Sequence, residues 1–293
     1  MDTLKYKCFA TVIREGSLTA AGKKLGYTQS AVSQMMQAME SEFGFKLLIR
    51  AKSGVSLTPD GERIMPRIQA VLAADEALHE SIAEVNGLRS GTVRIGVFQS
   101  VAEMWLPDII SEFNALYPNI KLDFWVNTYE PIEKWICEQT VDCGFITQSN
   151  QSAFDFIPLT KDRLLMVLPK DHPFARKRNF PLKQLANESF IIPSEGSNYS
   201  IGSILGEADI SLNVQYALND DYAAIALAEK GLGVTILPEL ILNNQHAKVA
   251  IKPLSPPCYR TIGIGVHSCT ALSPACRRFI SFVKDWLDET HSY

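Results

Sequence analysis

The sequence predicts an α/β protein in three parts: a helix-turn-helix head, a long linker helix and a two-lobed α/β domain. Three observations carry this reading. Two short helical patterns flank a Gly26-Tyr27 break within residues 17–40. An apolar periodicity of three and four residues then runs through 64–85. Beyond residue 91, β-branched runs alternate with amphipathic runs twice over, as in a mostly parallel sheet with helices on its faces. A chain of 293 residues exceeds one small domain, and 46% hydrophobic residues suffice for sizeable cores.

Leu4, Cys8, Phe9 and Val12 share one face of a first helix over 4–14, placed to pack beneath the helix pair. Ser17 is the N-cap candidate of the second helix and Thr28 of the third, since a hydroxyl accepts from an unpaired N–H of the opening turn. Ala20 and Ala21 let the helices approach closely. In the third helix Val32, Met35, Met36, Met39 and Phe43 form a buried stripe, and Ser30, Ser33, Gln34 and Gln37 fall opposite. A merely solvated face usually carries Lys and Glu, whereas this one carries uncharged hydroxyls and amides, the groups that hydrogen-bond base edges in a major groove. A recognition helix is therefore expected. Ser17, Thr28, Gln29, Ser30, Ser33, Gln34 and Gln37 would face double-stranded DNA, and Arg50 and Lys52, in a basic segment with Lys46, would meet phosphates. An ordinary surface helix hairpin is the rival.

Charge supports the first reading. The chain carries −4 in all, yet residues 1–60 hold eight Lys/Arg against five Asp/Glu, so a +3 head sits on a −7 body. So modest an excess means that one head binds weakly and two or more are needed.

Residues 46–57 read as two short strands around Ser53-Gly54, and Thr58-Pro59 opens the next helix, a hydroxyl cap followed by proline at the first position. Ile64, Ile68, Val71, Leu72, Leu78, Ile82 and Val85 carry its stripe towards Asn86-Gly87, a rod of about 42 Å. Pro66 is expected to kink it near its start. A rod cannot bury its stripe within itself, so a helix from a second copy is the expected partner, although Asp75 falls in the seam. Docking on the chain's own C-terminal domain is the alternative.

After the linker, strands over 92–97, 120–126 and 143–146 with helices over 105–116 and 132–139 make one lobe. Strands over 164–168, 190–192, 213–217 and 234–237 with helices over 182–185 and 220–229 make the other, and a helix over 274–290 closes the chain. Ligands in such sheets sit beyond the carboxyl ends of the strands. The residues there are Gln99, Ser100, Thr128, Thr147 and Gln148 on one wall and Ser194, Ser197 and Asn219 on the other. Each alone is an ordinary turn residue; their recurrence at strand ends makes the candidate site. All are neutral hydrogen-bonders with no evident fixed cation, so an acidic ligand would rest on backbone N–H groups at helix starts.

The run TQSAVSQMMQAMESEFGFKLLIR, followed by GVSLTPDGE, resembles the N-terminal domain of LysR-type transcriptional regulators, with Met39-Glu40, Phe43-Gly44, Leu47-Leu48, Arg50, Leu57-Thr58 and Gly61 in register. LLMVLPKDHPFA and AEKGLGVTILP are similar to the family's second lobe. The resemblance implies a winged helix-turn-helix over 1–58, a linker and dimerisation helix over 59–88, and a periplasmic-binding-protein-like effector domain over 89–293. Within it, lobe I would comprise 89–161 plus 267–293 and lobe II 162–266. It further implies a sequence-specific transcription regulator, dimeric with tetramers left open, modulated by a small effector such as a polar organic acid or an amino acid.

Other classes lack their parts. No GxSxG, HExxH, GxGxxG or P-loop is present, against an enzyme, and a transport-type solute-binding protein would not carry residues 1–88. The start MDTLKYKCFATVIREG lacks a secretory pattern and no apolar run reaches membrane-spanning length, so a cytoplasmic location without a membrane partner is expected. Cys8, Cys137, Cys143, Cys258, Cys269 and Cys276 form no CxxC pair and no ligand spacing with the five histidines. No metal, cofactor or disulfide framework is expected, and a redox pairing of Cys137 with Cys143 is the one alternative to core thiols.

Overall fold

Three helices open the chain, Thr3–Glu15, Leu18–Leu25 and Gln29–Phe43, and their ends lie where local chemistry puts them. They are seen in a computed structural model that describes residues 3–51, 54–85, 90–148, 153–193, 201–202, 210–218, 220–243 and 248–290. Ser17 Oγ accepts from Ala20 N at 3.3 Å and Thr28 Oγ1 from Ala31 N at 3.2 Å, so both expected caps form. Between them Gly26 closes the second helix at φ 75°, a left-handed conformation that only a residue without Cβ adopts freely. Phe9, Val12, Val32, Met36 and Met39 meet in one core, with Met35 and Phe43 packed at its edge. Strands β1 (Leu48–Ala51) and β2 (Gly54–Leu57) pair antiparallel as the wing.

The linker helix runs Pro59–Val85, capped by Thr58 Oγ1 accepting from Gly61 N at 2.9 Å. Its stripe divides. Met65 and Ile68 are buried in the head's own core, with Ile64 and Leu72 packed against it, whereas Val71, Leu78, Ile82 and Val85 are 44%, 59%, 50% and 88% exposed. The opposite face docks on the chain's own C-terminal part through polar ties. Gln69 Nε2 donates to Thr140 Oγ1 at 3.0 Å, and Glu76 accepts from Arg94 Nη1 at 2.8 Å and Nη2 at 3.0 Å. Glu80 accepts from Thr92 N and Ala275 N, each at 3.3 Å. Positions 69, 76 and 80 lie on the far side of the helix from 71, 78, 82 and 85. Self-docking and a bare apolar seam, weighed above as alternatives, thus occupy different faces.

The remainder holds β3 (Gly91–Val97), β4 (Ile120–Val126), β5 (Cys143–Thr147), β6 (Asp155–Pro169), β7 (Phe180–Pro181), β8 (Ser189–Ile192), β9 (Asn213–Ala217), β10 (Thr235–Pro238) and β11 (Val249–Val266). The main sheet is ordered β10-β6-β11-β5-β3-β4, with β7 beside β11, and β8-β9 form a separate parallel pair. Helices Leu106–Leu116, Tyr129–Cys137 and Pro274–Thr290 cover the β3-β4-β5 side, and Asp221–Glu229 covers the other lobe. Alternation of strands and helices anticipated the elements but not the directions: β3-β4 and β3-β5 are parallel as expected, whereas β10-β6, β6-β11 and β11-β5 are antiparallel. What differs is the pair β6 and β11, antiparallel strands of 15 and 18 residues that run through both lobes. Only 164–168 of the two was expected as strand; Pro253, Pro256 and Pro257 mask β11, and a register shift falls between Pro253 and Cys258. A short helix, Gln99–Met104, opens at Gln99-Ser100, where a helix start was expected, ahead of the helix expected over 105–116. Among the described residues no helix is long and apolar enough to cross a membrane.

Candidate functional site

On the third helix Ser30, Gln34 and Gln37 are exposed along one side, opposite Val32 and Met39, and Gln29, two turns before the buried Met36, is exposed at the open first turn. Ser30, Gln34 and Gln37 recur at steps of four and three, so they form a single outward row. Thr28 caps this helix and its Oγ1 also lies 3.0 Å from Ser30 Oγ, whereas Ser17 caps the preceding helix. Ser33 is half-buried at the edge facing the wing, where its Oγ accepts from Arg50 Nη1 at 3.1 Å. Arg50 itself is an exposed residue of β1. Lys52 lies outside the described residues. Lys46, expected among the basic groups, donates to Glu40 Oε2 at 2.8 Å. Glu40 is 6% exposed, and its other oxygen accepts from Leu47 N at 3.0 Å and Leu48 N at 3.3 Å. Burial alone would push this carboxyl up, but Lys46 and the two backbone donors hold it below the usual range.

The second candidate site lies where β3, β4 and β5 end. Ser100 and Thr147 are buried, Gln99 and Thr128 are half-buried and Gln148 is exposed. Gln99 Nε2 turns to Glu103 Oε1 at 3.0 Å, Thr128 N donates to Asn127 Oδ1 at 2.8 Å, and Gln148 N donates to Thr261 O at 3.0 Å. Ser194, Ser197 and Asn219 lie outside the described residues.

The expectation that no fixed cation serves this site is overturned by Arg260. Fully enclosed, it donates from Nη2 to Ser100 Oγ at 2.9 Å, from Nη1 to Tyr129 Oη at 2.8 Å and from Nε to Asp162 Oδ2 at 2.8 Å. Its guanidinium also lies over the Phe98 ring, 5.2 Å from the centroid. Asp162 in turn accepts from Leu240 N at 3.1 Å, so the network passes from the helix starting at Gln99 through both long strands to the helix Glu239–Leu242. Burial pushes the Asp162 carboxyl and the Tyr129 phenol up, each opposed by Arg260. Ile262 pairs with Thr147, and Arg260 stands two residues back along β11, on the same face of the sheet. A second tie crosses between lobes, where Tyr222 donates to Glu103 Oε2. A signal for Arg260 existed: Arg260, Ile262, Ile264 and Val266 alternate, which places the arginine on a buried strand face. Its partners are distant in the chain and leave no such trace.

The suggested Cys137–Cys143 pairing does not form. Cys143 and Cys276 are free, buried thiols; Cys276 Sγ donates to Asp142 O at 3.9 Å, and the neighbouring Cys143 together with burial pushes the Cys276 thiol well up.

Comparison with known proteins places these features in one family. The family model described as "Bacterial regulatory helix-turn-helix protein, lysR family" matches residues 4–62, and "LysR substrate binding domain" matches 86–288. The uncharacterized HTH-type transcriptional regulator YvbU of Bacillus subtilis is 30% identical over 97% of this chain and 98% of its own. The probable HTH-type transcriptional regulator LrrA of Synechococcus elongatus is 28% identical over 100% and 99%. Among solved structures, full-length OxyR from Pseudomonas aeruginosa superposes with a TM-score of 0.81 at 21% identity, covering 98% of this chain and 95% of that one. CbnR in complex with its target DNA gives 0.64 at 19% identity over 97% and 99%; at such identities the likeness is one of fold. Taken with the capped helix pair, the wing and the two-lobed domain, these matches establish that the chain belongs to the LysR family of DNA-binding, effector-responsive transcription regulators, which are not enzymes.

Proposed function

We propose that this regulator is a cytoplasmic homodimer that reads DNA through Gln29, Ser30, Gln34 and Gln37 with Arg50 on a phosphate, and that residues 1–58, 59–88 and 89–293 are its head, linker and effector domain. The observation that carries the reading is the uncharged outward row of a helix whose inner row is fully buried, since amides and hydroxyls on a rigid support can match base edges. The exposed half of the linker stripe supports pairing with a second copy. The effector is a polar organic acid or an amino acid held at Ser100, Thr128 and Thr147. Arg260, one hydrogen bond behind Ser100, favours an oxygen of the ligand at that hydroxyl.

Gln34→Ala should cost about 1–3 kcal/mol on the cognate site and leave binding to arbitrary duplex nearly unchanged, as anisotropy titrations would read. Equal loss on both DNAs refutes the base-reading assignment. For the cleft, a thermal-shift screen of organic acids and amino acids on wild type and Ser100→Ala should yield hits that the variant loses. Hits that stabilise both equally would place the ligand elsewhere.

A further inference from the structure

The recognition helix and the wing touch at two points whose spacing matches. Ser33 and Glu40 stand seven residues apart, two helical turns or about 10 Å along one edge of the helix. Opposite them the chain runs back from Leu47 to Arg50, three residues of extended backbone, which also span about 10 Å. Glu40 takes Leu47 N and Leu48 N at one end of this ladder, and Ser33 takes the Arg50 guanidinium at the other.

Glu40 is buried and faces away from the outward row of Ser30, Gln34 and Gln37, so it cannot itself meet DNA. A buried carboxylate is costly unless paired and hydrogen-bonded. Here each oxygen has partners, and they anchor the first residue of β1, two residues before Arg50. Ser33 is half-buried with its oxygen turned to Arg50. A hydroxyl engaged in that way, at the helix edge, is poorly placed for a base. It does restrict a long side chain that would otherwise lose rotamer freedom on binding.

We propose that Glu40 and Ser33 are positioning residues that act through Arg50: Glu40 sets the start of the wing strand, and Ser33 holds the guanidinium beside the recognition helix, where it meets a phosphate. Ser33 thereby leaves the set of base readers. The inference rests on the phosphate role of Arg50 proposed above.

The test uses the full-length protein and a duplex of arbitrary sequence, followed by fluorescence anisotropy over a salt series. A base-reading serine would not matter on such DNA. Ser33→Ala should instead weaken binding about 2–10-fold, the loss of one hydrogen bond, and should cause no further loss in an Arg50→Ala background. Arg50→Ala should lower the salt slope by about 0.9 per head. Glu40→Ala should reproduce that drop, and Glu40→Gln, which keeps a carbonyl oxygen for Leu47 N and Leu48 N, should restore most of it. Should Glu40→Ala fail to fold, the Ser33–Arg50 cycle decides alone, because it disturbs no fully buried group. An unchanged affinity for Ser33→Ala, or a loss that adds to that of Arg50→Ala, overturns the proposal while the phosphate contact stands. An unchanged salt slope for Arg50→Ala removes the phosphate contact itself and the proposal with it.

Discussion

Replacing Asp142 by asparagine should make the protein more stable at pH 8 and leave it unchanged near pH 4. Asp142 accepts from Arg94 N at 2.6 Å and lies where the linker helix meets the effector domain. Burial pushes its carboxyl up to about 6, opposed by the Arg94 backbone donor and charge and reinforced by Glu76 and Glu80 of the linker helix. The usual value is 3.8, and each unit of difference is worth about 1.36 kcal/mol, so the ionised form is disfavoured in the folded protein by about 3 kcal/mol. Because the folded value is raised, the associated stability is fully present below 3.8 and is lost as the pH climbs through 6. Asparagine keeps an oxygen for Arg94 N and carries no charge, so it avoids that loss. Urea unfolding of both proteins between pH 4 and pH 8 should show the difference growing to about 3 kcal/mol and then levelling above pH 7. A variant less stable than wild type at pH 8, or a gap independent of pH, would refute the reasoning.

Other perturbations test the remaining contacts. Arg260→Met leaves Asp162 buried without its cation and should cost about 3–5 kcal/mol in thermal or urea unfolding, part of it regained in Arg260→Met with Asp162→Asn. Leu78→Asp adds a charge to the bare half of the linker stripe; sedimentation at micromolar concentration should shift from dimer towards monomer, with secondary structure by circular dichroism intact. Gly22→Ala places a Cβ 2.7 Å from Tyr27 O, backbone that cannot yield cheaply, and should destabilise the head by about 1–3 kcal/mol, read as faster amide exchange in residues 18–43.

What could be foreseen from residues alone follows the range of the interaction. Caps at Ser17, Thr28 and Thr58 act across three residues and were legible, as were the head's core stripe and most strands of the first lobe. The long strand β11 was not, because prolines conceal a pattern that only pairing with β6 sustains. The outward row of the recognition helix could be read from spacing, but the turning of Ser33 to Arg50 depends on how the wing folds back. In the cleft, Ser100 could be placed at a strand end. Its contact with Arg260, 160 residues away, arises only when β11 crosses both lobes.

The polar ties of the linker helix have a mechanical consequence. Gln69, Glu76 and Glu80 grip the effector domain, the first of them about 10 residues from the helix start at Pro59, which leaves a lever arm of about 15 Å. The first half of the helix is built into the head's core through Met65 and Ile68, so head and rod move as one body. A tilt of about 15° at the first tie therefore sweeps the head end of the rod through about 4 Å, more than the 3.4 Å step between base pairs. A rearrangement in the effector domain too slight to alter its own packing thus suffices to shift a head out of register with its half-site.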